Sequence, residues 1–571
     1  MKKGLFLAFV LLLISMLIVS YVQAEEPGQI ISNSQDWRDV YSITLYGSMI
    51  KKSAGFLVSE KHSTLFLNGV AKGTHIWAIS SKKNPYVKGY KAIIEGKGYT
   101  AEEFEYDNVN LELAKLSGAS SFIIVDDSYG YNAISVAPYS VATKSFVLFA
   151  DKGSINSVSS YLNTIDVKSV LIYGHVDKEV IAAMKKYNPE IINKDGDRFA
   201  NNVEIVKKYQ KVKGSVQAAF TNGEFIEKEI MSGEEPVVFI GRNNVPDIIT
   251  DYIKGSNIKV GVLIGNDLVS TATTIRRGLG LSVFVKFAQS ARSPGEPIAQ
   301  VEGLDIFYLP TYNLDLSLQS VKYNSATKQL EVTLRNNAPL AAYFKGTYTV
   351  SGGGTSQTVG DIEPVFIDGN GVKTVVYSLG PFSSDELSAS VYIIYGESKN
   401  SLEKAIDIKL CPTCDKSIQV ISVSDDCDVR VDGVSYNSRR KAFVVSLNNP
   451  SSADCYADVE LVNVIVGGEK KDFGLKEPVH LDAGGARQVS VSAELDSLDL
   501  QDNQIVRARA YFGQREASLM KVFDAEFELQ VASFADAIAD NLSYVLLAVI
   551  VAMVAGMIWI VKKKRRESGH I

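Results

Sequence analysis

Histidine is scarce in this chain. There are five in 571 residues, His62, His75, His175, His480 and His570, and none lies near another in sequence. No H-E-x-x-H, G-x-S-x-G or phosphate-loop pattern occurs, so the familiar metalloprotease, serine-hydrolase and nucleotide-binding motifs are excluded. Cysteine is absent from the first 410 residues. Four then fall within 45 positions, at Cys411, Cys414, Cys427 and Cys455. Long apolar runs occur only at the two ends. The full chain carries a net charge of −6; residues 25–310 contribute −1 and residues 311–541 contribute −11. An acidic chain of this kind is not expected to bind nucleic acid.

The two apolar runs set the topology. Residues 1–24 begin Lys2-Lys3, continue "LFLAFVLLLISMLIVS" and end "YVQA", with Val22 and Ala24 at the −3 and −1 positions. This reads as a signal peptide, with an uncleaved anchor as the alternative. Residues 542–561 are apolar apart from Ser543 and Gly556 and run into "KKKRR". Twenty such residues suffice to cross a bilayer, and the basic flank assigns 562–571 to the cytoplasm. The expected protein is single-pass, in the cell membrane, with its N-terminal ectodomain outside. The acceptor sequon Asn541-Leu542-Ser543 abuts the span, so little glycosylation is expected there.

Outside the membrane an even, clustered set of cysteines predicts disulfides. Four cysteines allow three pairings. Cys411–Cys414 with Cys427–Cys455 is favoured, and a zinc site at "CPTC" is the alternative.

Two kinds of repeat lie between the ends. From 25 to about 310, short apolar runs such as "SSFIIVDD", "KSVLIYG" and "KVGVLIGN" alternate with helical patterns, which predicts parallel sheets covered by helices. The stretch 155–180 resembles 245–270, and 66–98 repeats the order in a worn form. Three α/β modules follow, at 30–115, 116–210 and 211–310. From 312 the pattern becomes the alternation of antiparallel sandwiches. "LEVTLRNNAP" and "FVVSLNNPSS" share paired asparagines, and "YGESKNSLEK" matches "FGQREASLMK". Two immunoglobulin-like sandwiches, 312–408 and 416–530, are expected as a spacer between the modules and the membrane.

In the second module, "SFIIVDDSYGYNAISVAPYSVATKSFVLF", "VKSVLIYGHVDKEVIAAMKKYNPEII" and "GDRFANNVEIVKKY" together resemble the cell-wall-binding repeat type 2 family. Ala133, Ser135, Ala137 and Pro138 match its helix motif, Gly174 its strand end, and Gly196, Asp197 and Arg198 its final segment. Asn132, Tyr173, Phe199 and Asn201 depart from the pattern. The first module keeps Asp39 and Ser42, whereas "GEFIEKEIMSG" in the third has lost the helix motif. The resemblance implies flavodoxin-like modules packed as a pseudo-trimer, non-catalytic attachment to an anionic envelope polymer, and a binding role for Arg198. A C-terminal membrane helix in place of a wall-sorting signal suggests an archaeal or similar envelope.

The basic stretch 51–100 holds nine lysines and two glutamates. Within it "WAISSKKNPYVKGYK" interleaves Tyr86 and Tyr90 with Lys82, Lys83, Lys88 and Lys91. Lysine point charges with aromatic faces suit an anionic glycan or lipid headgroup; the alternative is a solvated face over aromatic core residues. Asp126, Asp127 and Tyr129 follow one strand and His175 another, the place where α/β sheets bind ligands. For these the plainer reading is a helix-capping turn and an exposed loop histidine. No catalytic residue, metal ligand or cofactor is expected. The leading expectation is a non-enzymatic surface protein that binds or organises envelope glycan or another anionic polymer, or contributes to a surface layer (S-layer) by self-association. The rivals are an extracellular hydrolase using the strand-end loops, and a surface receptor or secretion subunit acting through the sandwiches.

Overall fold

The computed structural model describes residues 26–265, 268–286, 306–516 and 518–532. The expected signal peptide 1–24, membrane span 542–561 and tail 562–571 lie outside these residues. Among the described residues no helix is long and apolar enough to cross a membrane.

The α/β half is three copies of one topology. In module 1 the strands are β1 (Gln29–Asn33), β2 (Ser53–Phe56), β3 (His75–Ser81) and β4 (Thr100–Tyr106). Module 2 has β5 (Ser121–Val125), β6 (Phe146–Phe149), β7 (Ser169–Tyr173) and β8 (Glu190–Ile192). Module 3 has β9 (Gln217–Thr221), a short β10 (Phe225–Ile226), β11 (Val237–Phe239), β12 (Val260–Ile264) and β13 (Ser282–Lys286). Each sheet is parallel, with its first strand between the second and third and its fourth at the edge. That is the second-first-third-fourth order of flavodoxin-like sheets. β1 and β6 are buried along their whole length, as expected of strands covered on both faces.

The first helix of each module faces the other two. Trp37–Met49, Tyr131–Thr143 and Lys228–Met231 pack against one another about a pseudo-threefold centre. The third is one turn long, at the place where the sequence loses the helix motif. Asp36 starts the first by accepting a bond from the Arg38 amide, and Asp197 starts the helix Arg198–Val212 by accepting from Phe199 and Ala200. Two asparagines stitch the copies together. Asn110 donates to Ser42 Oγ in its own module and to the Val147 carbonyl in the next, both at 2.9 Å, and accepts from the Phe149 amide. Asn202 repeats this with Ser135 (2.8 Å), Val237 (2.9 Å) and Phe239.

A single segment then crosses the centre of the ring. In β14 (Phe307–Tyr308), Phe307 meets Phe56 of module 1 edge to face. The strand pairs with β10 of module 3. Pro310 accepts from Gly130 of module 2, and the Tyr312 amide donates to Tyr131 Oη.

The second half is a duplication, strand for strand. The first sandwich comprises β15 (Leu316–Asn324), β16 (Gln329–Asn336), β17 (Ala342–Gly352), β18 (Thr355–Gly360), β19 (Val365–Ile367), β20 (Val372–Ser378), β21 (Ser388–Gly396), β22 (Leu402–Leu410) and β23 (Gln419–Ile421). The second comprises β24 (Arg430–Asn437), β25 (Ala442–Asn448), β26 (Cys455–Val466), β27 (Glu469–Gly474), β28 (Val479–Leu481), β29 (Ala486–Ser492), β30 (Ile505–Gly513), β31 (Lys521–Glu528) and β32 (Gln530–Ala532). Sheet orders match throughout. The expected domain edge at 416 needs correction. β23 hydrogen-bonds parallel to β15 and so completes the first sandwich, as β32 does with β24 in the second. The paired asparagines recur because Asn336 and Asn449 each hold a turn closed, through bonds to Leu340 and Asp368 carbonyls and to Ala453 and Asp482 carbonyls. Cys411 pairs with Cys414 and Cys427 with Cys455, the favoured arrangement, which leaves no thiolates for zinc at "CPTC".

The sandwiches are not an extended spacer. They clasp each other through Lys373, which is buried against Asp458 (2.7 Å) and Glu460 and lies over the Tyr511 ring. Arg515 of the second also reaches the fully buried Glu331 of the first at 2.5 Å. Both sandwiches then fold back onto module 2.

Candidate functional site

Ligands of parallel sheets gather at the carboxyl ends of the strands, where the order reverses. The three modules present three such faces, and the structure uses them differently.

On module 2 the face is roofed by both sandwiches. Arg198 is 5% exposed. Its guanidinium stacks 4.0 Å from the Tyr131 ring centroid, ion-pairs with Glu397 at 3.1 Å, and donates to Glu403. Asp197 beside it accepts from Ser398 (2.8 Å) and Ser401 (2.6 Å). All four partners lie on or beside the β21–β22 turn of the first sandwich. The Gly-Asp-Arg segment expected to bind polymer is therefore not open to one; the chain's own carboxylates occupy it. Burial pushes the Glu397 carboxyl up to about 7; Arg198 pulls it down, and neighbouring Glu403 pushes it up again.

The second sandwich reaches the same face through the β26–β27 turn. Glu469 accepts from His175 Nδ1 (3.0 Å) and Asn193 (2.5 Å). Burial works against this carboxylate, but those two bonds and the nearby positive charge outweigh it and take it down to about 2. Lys178, on the helix after β7, pairs with Asp496 and Asp499. Gly174 has φ +77°, and a Cβ there would lie 2.3 Å from the Asn132 amide, so the turn out of β7 requires glycine.

Between these ties lies a cavity of about 860 Å³. Asp126, Tyr129 and His175 of module 2 line it, with Tyr343 of the first sandwich and Lys471 and Asp472 of the second. Of the three residues singled out for a hydrolase, Asp126 and His175 line this cavity together, whereas Asp127 does not. Asp126 accepts from the Ser128 amide in a turn, Asp127 pairs with Arg38 of module 1, and His175 is held by Glu469.

Module 3 gives its face to the edge of the first sandwich. Asn243 pairs both ways with the backbone of Ala405, and Asn244 donates to the Leu402 carbonyl. A Cβ on Gly241 would stand 2.1 Å from the Glu403 carbonyl oxygen, so this contact needs a bare backbone. The asparagine side chain satisfies strand groups that an exposed edge would leave open.

On module 1 the face carries the lysine loop that follows β3. Lys82, Lys83, Lys88 and Lys91 are exposed. Asn33, at the end of β1, pins the loop by bonding both ways with Val87, at 2.6 and 3.0 Å. Glu103 accepts from the Tyr90 and Lys91 amides. Lys82 and Lys91 have acidic neighbours in Asp107 and Glu95, both exposed. The aromatic half of the expectation needs correction. Tyr90 is fully buried and donates to the Ser63 carbonyl, and Tyr86 is half-buried against the core. The loop therefore offers charge without a stacking platform. Beneath it, burial pushes the Asp39 carboxyl up to about 6, although Ser34 donates to it.

Sequence reading missed Glu397, Glu403 and Glu469, and the clamps Asn110 and Asn202. The clamps had a signal: aligning the last helices of modules 1 and 2 puts an asparagine at each, opposite Ser42 and Ser135.

No family model matches the chain, and no curated protein matches it. Among solved structures, Cwp6 from Clostridium difficile is 12% identical over 46% of this chain and 55% of its own, with a TM-score of 0.31. The chain thus spans little more than half of that structure. The ligand-binding region of the serine-glutamate repeat protein SgrA of Enterococcus faecium is 13% identical over 19% of this chain and 98% of its own, with a TM-score of 0.14. A tetra-tandem repeat from a large adhesion protein is 11% identical over 40% of this chain and 53% of its own, with a TM-score of 0.13. The cell-wall-binding repeat family therefore stays a resemblance carried by residues of module 2.

Proposed function

We propose that this is a non-enzymatic, membrane-anchored cell-surface protein that holds an anionic envelope polymer on module 1. The observation that carries the reading is the division of labour among three equivalent faces. Among the described residues, the hydrogen bonds and ion pairs from the sandwiches to the α/β half run to modules 2 and 3. Module 1 keeps its lysine loop exposed over the ends of β1 and β3. Four lysines on a pinned loop provide mobile point charges suited to phosphate or carboxylate groups along a polymer. The docked sandwiches hold the ring in a fixed attitude, and 542–561 supplies the attachment to the bilayer.

The test is retention on isolated envelopes. Wild-type protein is expected to be retained and to be released by salt, because exposed charge contacts are screened. Combined Lys82→Glu, Lys83→Glu and Lys88→Glu should abolish retention. Unchanged retention of the triple variant removes the loop from the account, and a wild-type protein that is not retained ends the polymer reading.

A further inference from the structure

We propose that the cleft enclosed by module 2 and the two sandwiches is a second binding site, built for a neutral oligosaccharide. It is independent of the lysine loop and does not rest on the polymer reading. Its position follows the general rule for parallel sheets. Asp126 directly follows β5 and His175 lies just past β7, the two strands between which the order reverses. Here that crevice is deepened by walls from two other units, and at about 860 Å³ it has the size of a small-ligand site.

The lining has the chemistry of sugar recognition. Two aromatic pairs contribute to it. Tyr129 and Tyr312 lie 6.0 Å apart between centroids, and Tyr343 and Phe366 lie 5.6 Å apart. Aromatic faces of this kind take the apolar face of a pyranose ring. Acceptors and donors lie among them. Asp126 and Asp368 offer carboxylate oxygens, and Lys471 offers an ammonium group. Arg198 also lines the cleft, with its guanidinium held by Glu397 and Glu403. Carboxylates from all three units face the cleft and outnumber its lysines, Lys399, Lys470, Lys471 and Lys476, so a polyanion suits this lining less well than a neutral ligand. Hydroxyl groups, which both donate and accept, do suit it. A ligand seated here would touch three units at once and would favour their docked arrangement by mass action.

Saturation-transfer NMR on the purified full-length protein tests this with maltotriose, cellotriose and N,N′-diacetylchitobiose, and with hexagalacturonate as the anionic comparison. The expected result is transfer to at least one neutral sugar with Kd of about 1 mM or tighter. Tyr343→Ala should weaken that binding at least tenfold, and the Lys82, Lys83 and Lys88 reversals should leave it unchanged. Asp368→Asn, which preserves shape, serves as a second variant if Tyr343→Ala fails to fold, and should weaken binding by several fold. Transfer from none of the neutral sugars overturns the proposal. So does preference for hexagalacturonate, or binding that neither variant alters.

Discussion

Modules 1 and 2 share a strand order, a first helix and a clamp, yet their strand-end faces are put to opposite uses. On module 2 an arginine is buried under two glutamates of another unit. On module 1 four lysines stand in solvent. The difference lies in what each charge costs to disturb. A buried charge is held by partners that cannot be removed without leaving an unpaired ion, whereas an exposed one is solvated with or without its neighbour. The first kind of face fixes architecture, and the second is free to meet something else.

The sharpest break of this contrast is Arg198→Ala. It leaves Glu397 and Glu403 buried without their cation and should destabilise docking by roughly 3–5 kcal/mol, seen as a split or lowered melting transition in calorimetry. A melting profile like that of wild type would place Arg198 among dispensable surface charges. Next come the clamps. Asn110→Ala and Asn202→Ala each strip a buried seam of its side-chain bonds and should cost about 2 kcal/mol in denaturant titration. Similar costs at the two seams would show that the copies are joined alike; a large imbalance would show that they are not.

The pH response separates the two sandwich contacts. Glu397 holds its proton more tightly docked than free, so its contribution is complete below about 4.5 and is lost as pH rises through about 7. Glu469 shifts the other way: its contribution is complete above about 4.5 and is lost as pH falls toward 2. Glu397→Gln should therefore make the decline between 4.5 and 7 shallower, leaving the share of Asp39, and leave the acid limb intact. An unchanged decline in that variant would remove Glu397 from the account. The smallest expected effect is on the open face. Reversing Lys82, Lys83 and Lys88 should change stability by no more than about 0.5 kcal/mol, so a large drop in melting temperature would mean that the loop is structural.

Both repeats were legible in the sequence because each is a local pattern. Apolar runs ending in glycine mark β7 and β12, and the paired asparagines mark the turns held by Asn336 and Asn449. The loss of the helix motif from "GEFIEKEIMSG" matches a first helix reduced to Lys228–Met231. What was not legible joins distant positions. Arg198 and Glu403 are 205 residues apart, and His175 and Glu469 are 294 apart. No periodicity reports which face of one unit another will cover. Tyr90 shows the same limit within a loop. Its spacing among lysines resembles a binding surface, but the helix it begins turns the ring inward. The edge at 416 was misplaced because β23 pairs with β15, some hundred residues earlier, at the other end of the same sandwich.

The pairing of Arg515 with the buried Glu331 repeats, one unit further along, the way the first sandwich is seated. The β21–β22 turn seats the first sandwich on module 2, and the matching β30–β31 turn seats the second sandwich on the first. Duplication thus copied an attachment plug together with the domain. The socket was not kept. Five residues before Asn336 stands Glu331, but five before Asn449 stands Val444. The position in the second sandwich that corresponds to Glu331 therefore offers no carboxylate to an arginine, so the two copies, alike in strand order, differ in the contact they can receive.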